Sequence, residues 1–311
     1  EISLDQKIFG EKGILEDPAY SSIKDERVKN ITIYHLLTHS AGWAKTSGDP
    51  VFMPYTIKEK MGVDLPVDLE TTIQYTLKHK SLDFEPGSQS SYSNFGYAVL
   101  GKVIEEVTGE AYENFVTSNI LHPLHIYDMH VGSAQKNRRL PNEVTYYSNS
   151  PFKNVYSSLN ENEIVPRQYG GNNFQVLEAA GAWVASPAEL MKFLAHIDGN
   201  SEKEDILEQE TIQQMVASKN GINPIGWIRA SVDGPWIRTG TLTGTSAILK
   251  KGGNDISWIM ILNTSNKMRH DFTEHMDSVM TSFINQVKVW PDYDLFNYSK
   301  PTPLYTKNND L

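Results

Sequence analysis

Tyr92-Ser93-Asn94 sets a phenol and a carboxamide two residues apart, where a polar turn gives way to an apolar-striped helix. Phe84-Glu85-Pro86-Gly87 precedes it and Phe95-Gly96-Tyr97 follows. Two side chains at such a helix start can point into one cleft. A phenol there can pass a proton between a nucleophile and a leaving group. The Asn94 amide can donate to a substrate carbonyl. The plainer reading makes Tyr92 a packed aromatic and Asn94 an N-cap.

A second group of residues is Trp236-Ile237-Arg238-Thr239-Gly240, with Leu242-Thr243-Gly244-Thr245-Ser246 behind it. Arg238 would attract a carboxylate or a polarised carbonyl, Thr239 would donate a hydrogen bond, and Gly240 would let a substrate backbone come close. A strand edge can also offer a backbone N–H to an oxyanion. Arg-Thr-Gly alone is equally an ordinary exposed turn.

Composition narrows the classes. A chain of 311 residues can bury a sizeable core in one large domain or two joined lobes. With 28 Lys plus Arg against 38 Asp plus Glu, the formal charge of -10 opposes nucleic-acid binding. No run of about twenty apolar residues suggests a membrane span. Cysteine is absent, which removes disulfides, thiolate metal sites and a Cys nucleophile. His35 and His39 share helical i, i+4 spacing but lack the acidic context of a metal site, so both read as structural. The sequence calls for no metal and no cofactor.

Several elements must position these groups. Thr32 caps a helix with Ile33, Leu36 and Leu37 on one face, and Gly42 can end it. Residues 44–67 read as loop. Asp68 caps a helix to about His79. The helix after Tyr92 carries Val99, Val103 and Val107 to a stop at Gly109, and a short helix follows from Glu110. Residues 130–178 have no sustained period and read as a lid or wall. Ser186-Pro187-Ala188-Glu189 is a helix start with a capping box. Strands are expected at Ile225–Ser231, Trp236–Thr239, Thr245–Lys250 and Ile256–Asn263, then a final amphipathic helix over 272–287. Helices followed by an antiparallel sheet and a closing helix predict an α+β fold. The organisation expected is one domain over 1–289, with a helical lobe at about 30–200 and the sheet and its helix at about 222–289. A polar tail would occupy 290–311.

Four ordered segments resemble the β-lactamase-related serine hydrolases, which include class C β-lactamases, D-Ala-D-Ala peptidases, D-aminopeptidases and esterases. They are Ile31 to Gly42, Phe84 to Tyr97, Ala179 to Leu194, and Trp236 to Ser246 with Asn263. The resemblance implies a β-lactamase/transpeptidase-like fold and attack by serine on an amide or ester through an acyl-enzyme. It makes Tyr92 and Asn94 catalytic and Arg238, Thr239 and Gly240 substrate-binding, with Trp43 and residues 130–178 as cleft walls. The substrate would be a β-lactam, a D-amino-acid peptide or a short ester.

The third element reads Arg-Thr-Gly where relatives carry Lys-Thr-Gly or His-x-Gly. The family's Ser-x-x-Lys helix lies before the segment that Ile2 to Lys7 resembles, so the nucleophile and the first strands are expected outside this chain segment. Ser21-Ser22-Ile23-Lys24, Ser133-Ala134-Gln135-Lys136 and Ser150-Pro151-Phe152-Lys153 fit the spacing, but none opens an apolar-striped helix. Partners compatible with this reading are a small-molecule or peptide substrate, the missing N-terminal segment of the same precursor, or another copy in a homo-oligomer. A catalytically inactive binding module is the alternative. Relatives are often exported, which points to the periplasm or the exterior, though no residue here shows export.

Overall fold

A computed structural model describes residues 2–149, 153–200, 203–253, 256–266, 271–291 and 296. Its helices are α1 (Ile33–Leu37), α2 (Pro54–Met61), α3 (Leu69–His79), α4 (Asn94–Thr108), α5 (Tyr112–Val116), α6 (Phe174–Gly181), α7 (Pro187–Ala195), α8 (Gln209–Val216) and α9 (Phe272–Gln286). Its strands are β1 (His130–Val131), β2 (Tyr147–Ser148), β3 (Asn154–Tyr156), β4 (Ile164–Pro166), β5 (Trp183–Val184), β6 (Trp236–Leu242), β7 (Thr245–Lys251), β8 (Ser257–Leu262) and β9 (Thr264–Ser265).

Helix α4 is the axis of the helical part. Ser93 Oγ accepts from Gly96 N, and Gly109 closes the helix in the left-handed region. Its apolar stripe of Phe95, Val99 and Val103 is buried with Leu36 of α1, Ile73 of α3 and Leu177 of α6. Gly101 lets α4 and α6 meet closely, since a Cβ there would stand 2.7 Å from Ala179 Cβ. Thr32 caps α1 as expected, with His35 completing the box. Asp68 caps α3 through Thr71 N.

Strands β6, β7 and β8 form a meander with antiparallel pairing throughout. The register aligns Thr239 with Ile248 and Met260, and Gly240 with Ala247 and Ile261. Alternation therefore gives the sheet two different faces. Ile237, Ile248 and Trp258 pack on Met276 of α9. Trp236 on the other face packs with Trp227, Leu194 and Ile212. Helices with an antiparallel sheet make the chain α+β.

Some elements differ from expectation. Residues 225–231 make no strand beyond a single bridge, Arg229 to Ile237. Trp227 turns into the core beside Trp236 instead. The segment 44–67 contains α2, started by Pro54. Helix α1 stops at Leu37, short of Gly42, because His39 itself takes a φ of 56°. Helix α6 starts within the segment read as irregular, capped by Asn173. Most of the tail expected at 290–311 lies outside the described residues.

Candidate active site

Tyr92 stands at the end of the turn before α4 and is 38% exposed. Its hydroxyl donates to Asn94 Oδ1 at 3.0 Å. The other end of the Asn94 amide is fixed: Nδ2 donates to Asp49 Oδ2 at 3.1 Å. Reversing the amide would set its oxygen against a carboxylate, so the network assigns the orientation. Asp49 also accepts from Asn94 N at 2.7 Å and Phe95 N at 3.2 Å. A carboxylate from a distant loop thus satisfies two free N–H groups in the first turn of α4, where the helix dipole favours negative charge. Burial pushes the Asp49 carboxyl above the usual carboxylate range, against the lowering effect of its bonds from Asn94, Val51 and Phe95.

His39 braces the same turn from beneath. It is 5% exposed. Its carbonyl accepts from Ser91 N at 2.8 Å and its Nδ1 from Ser93 N at 3.3 Å. The ring lies 4.5 Å from that of Tyr92 and 4.9 Å from that of Tyr97, centre to centre. Since Nδ1 accepts, the proton of the neutral ring sits on Nε2, a buried atom without a hydrogen-bond partner among the described residues. Burial, reinforced by the charge on Arg238, pushes the imidazole down to about 4. Tyr97 donates to Leu37 O at 2.8 Å, and burial pushes its phenol up to about 12.

Arg238 comes to this cluster from β6. Its Nη2 is 3.5 Å from the Tyr92 hydroxyl, and its guanidinium lies 5.5 Å from the Tyr92 ring centre and 6.0 Å from that of Tyr97. Two aromatic faces hold a planar cation in a way a lysine ammonium would not reproduce. Arg238 forms no ion pair with the described residues, so its charge is available to an incoming anion.

The free edge of β6 adds a second kind of group. Ile237 N donates to Arg229 O at 2.8 Å, and Ile237 O accepts from Ile228 N at 3.0 Å. Ile237 therefore turns its polar backbone away from β7, and alternation sends the N–H and C=O of Thr239 and Thr241 the same way. Past the single bridge at Ile237 those groups have no strand beside them among the described residues.

A cleft of about 770 Å³ runs between α4, the β6–β7–β8 sheet and the segments around β1, α6 and β5. Tyr92, Asn94 and Gly240 line it, and Phe174, Leu177 and Trp183 give it an apolar wall. Parts of the 130–178 segment are among its walls, including Leu140, Tyr146 and Arg167.

Of the six residues singled out from sequence, four converge: Tyr92, Asn94, Arg238 and Gly240. Trp43 does not. It is 6% exposed, edge-on to Phe95 at 4.9 Å, and belongs to the helical core. Its apolar ring follows the buried face of the turn after α1, so it packs the lobe instead of walling the cleft. The Thr239 side chain is on the α9 face beside Ile248, opposite Arg238 and Gly240, because side chains alternate along a strand. Only its backbone turns to the open edge. Asp49 escaped the sequence reading, although Gly48-Asp49-Pro50 is a recognisable capping signal. His39 was read as structural, and nothing local shows that it packs under Tyr92.

The three serines with Ser-x-x-Lys spacing are elsewhere or undescribed. Ser21 Oγ donates to Pro18 O, Ser133 Oγ accepts from Gln135 N, and Ser150 lies outside the described residues. Among the described residues no group of three or more His, Cys, Asp or Glu could hold a metal ion. No helix among them is long and apolar enough to cross a membrane.

A family model described as Beta-lactamase matches residues 1–288. The chain belongs to the Beta-lactamase family. Penicillin-binding protein 4* of Bacillus subtilis (strain 168) is 29% identical over 172 residues, which cover 54% of this chain and 35% of that protein. A putative D-alanyl-D-alanine carboxypeptidase of Escherichia coli (strain K12) is 29% identical over 110 residues, 34% of this chain and 24% of that protein. The matches thus span about a third or less of the length of these curated relatives.

Solved structures agree on the fold. The D-amino acid amidase from Ochrobactrum anthropi SV3, complexed with L-phenylalanine amide, aligns with a TM-score of 0.62 at 20% identity, over 91% of this chain and 77% of that one. A class C β-lactamase aligns with a TM-score of 0.61 at 14% identity, over 93% of this chain and 76% of that one. The Beta-lactamase family fold is therefore shared across the described elements, with its α+β character.

Proposed function

We propose that this chain forms the proton-transfer and substrate-holding side of a serine hydrolase that cleaves an amide or ester through an acyl-enzyme. The observation that carries the reading is the bond from Tyr92 to Asn94 at 3.0 Å with Arg238 3.5 Å from the Tyr92 hydroxyl, Tyr92 and Asn94 both lining a large cleft. A serine hydroxyl is a weak nucleophile at neutral pH and requires a neighbouring group to take its proton. In the proposed reaction a serine Oγ attacks the carbonyl carbon, and its proton passes by way of the Tyr92 oxygen to the departing amine or alcohol. Water then cleaves the acyl-enzyme and returns the proton to serine.

Each of the other groups has a part. Arg238 supplies positive charge beside the phenolic oxygen and can hold a substrate carboxylate. The outward N–H of Thr241 or Thr239 can stabilise the oxyanion. Gly240 leaves room for the substrate backbone. The relatives' descriptions, D-alanyl-D-alanine carboxypeptidase and D-amino acid amidase, support a substrate with a D-amino-acid amide or peptide bond. The Arg-Thr-Gly sequence favours one with an anionic end.

Intact mass after exposure to a fluorophosphonate or a penicillin tests this. A covalent adduct on a serine of the protein, lost on prior denaturation and slowed in Tyr92→Phe, is the expected result. No adduct under either probe would overturn the hydrolase reading and leave a binding module that kept the cleft.

A further inference from the structure

We infer that Asp49 is a positioning residue that sets the polarity of the Tyr92–Asn94 pair by gripping the Asn94 amide and the first turn of α4 together. The inference rests on the reading that Tyr92 and Asn94 take part in the chemistry, and it adds a residue 45 positions upstream of Asn94. One carboxylate takes four donors. Oδ2 accepts from Asn94 N and Asn94 Nδ2, and Oδ1 from Phe95 N and Val51 N, at 2.7, 3.1, 3.2 and 3.4 Å.

A carboxylate only accepts, so it admits one orientation of the Asn94 amide: nitrogen towards Asp49, oxygen towards Tyr92. That oxygen in turn draws the Tyr92 proton, which leaves the lone pairs of the phenolic oxygen to Arg238 and to the cleft. The direction of the phenolic O–H is thus decided at Asp49, which itself does not line the cleft. Ser93 already caps α4 through Gly96 N, so an acid serving only as a helix cap would not also bind the Asn94 side chain. Placement of that loop has support apart from the carboxylate, since Val51 is buried in the helical core.

The test is Asp49→Asn in the wild-type and Asn94→Ala backgrounds, read in two ways. Asparagine keeps the shape but has a single oxygen for donors that now face an NH2 group as well. Nitrogen NMR of the protein should show the Asn94 side-chain amide moved and the Asn94 and Phe95 backbone amides exchanging at least about tenfold faster, as expected for weakening a hydrogen bond to a charged group. Where an ester or β-lactam is turned over, kcat should fall about tenfold or more with KM within about twofold, and the loss should vanish in the Asn94→Ala background. An unmoved Asn94 amide, or an equal fall in kcat in both backgrounds, overturns the inference. If Asp49→Asn does not fold, Asp49→Ser keeps an oxygen for the α4 backbone but is too short for Asn94 Nδ2, and the same two readouts apply. If the wild-type protein turns over no ester or β-lactam, the hydrolase reading fails, and the NMR measurement still decides the role of Asp49.

Discussion

Ser93 donates its backbone N–H to Nδ1 of His39 at 3.3 Å, and this bond requires the imidazole to be unprotonated at that nitrogen. The folded protein holds His39 down to about 4, against an ordinary value of 6.5. The unfolded chain therefore binds a proton between those values that the native state refuses, and stability rises with pH across that window. The contribution is lost progressively below pH 6.5 as pH falls through about 4, and is fully gone only below that. The shift corresponds to about 3 kcal/mol at most. Asp49 works in the opposite direction, because its raised carboxyl binds a proton in the native state first and so softens the acid end of the slope. Urea unfolding at pH 7 and pH 5 should show lower stability at pH 5. In His39→Leu that difference should shrink, with an added loss at pH 7 of about 1–3 kcal/mol for the orphaned Ser93 N–H.

Tyr92→Phe removes one hydroxyl from a partly exposed ring and should leave the thermal midpoint almost unchanged. Acylation by a β-lactam or fluorophosphonate should slow by about 10²–10⁴-fold, the usual worth of a positioned proton-transfer group. A decline below about threefold in a stopped-flow acylation assay would remove Tyr92 from the chemistry.

Arg238→Lys keeps a positive charge and gives up the planar contact with two tyrosine rings. If Arg238 holds an anionic end of the substrate, kcat/KM for a carboxylate-bearing substrate should fall about 10–150-fold in Arg238→Ala, following the worth of a charged hydrogen bond, and only partly in the lysine variant. Neutral esters should be affected less in both. Parallel kinetics on an ester with and without a free carboxylate checks the difference.

Gly240→Ala separates fold from access. A Cβ built there meets nothing within 4 Å, so the folded chain has room for it. The thermal midpoint should stay near wild type, while binding of any ligand lying along the β6 edge weakens. Isothermal calorimetry with an acylated D-amino-acid amide would read that directly.

Trp43→Ala should behave in the reverse manner. Removing a buried indole from a packed core costs about 3–5 kcal/mol. Chemical denaturation should record that loss, and KM for any substrate turned over at low temperature should hold within about twofold, since the ring faces Phe95 and not the cleft.

Much of this was legible in the sequence wherever the signal was local. The caps at Thr32, Asp68 and Ser186, the stop at Gly109 and the β6–β8 meander follow from capping residues, glycine and alternating strands. The pairing of Tyr92 with Asn94 was legible because it depends on two residues in one turn. Thr239 misled because a three-residue motif was read as one surface, whereas a strand sends neighbouring side chains to opposite faces. Trp43 misled because position near a helix end says nothing about which side the ring faces. Asp49 and His39 were illegible as site residues for a different reason: each reaches the 91–95 turn across more than forty residues of chain, and only the folded packing of α1 and the Asp49 loop against α4 brings them there.

The outer edge of β6, unpaired past Ile237 among the described residues, has a stereochemical consequence. A chain segment lying along Thr239 and Thr241 has its direction and its pleat dictated by their N–H and C=O groups. With the backbone so fixed, inverting one α-carbon exchanges the positions of its side chain and its hydrogen. One enantiomer of such a segment stands its substituent up from the sheet, and its mirror image turns it into the plane of the sheet. Handedness can be sorted by a strand edge alone, before any pocket measures the size of a side chain.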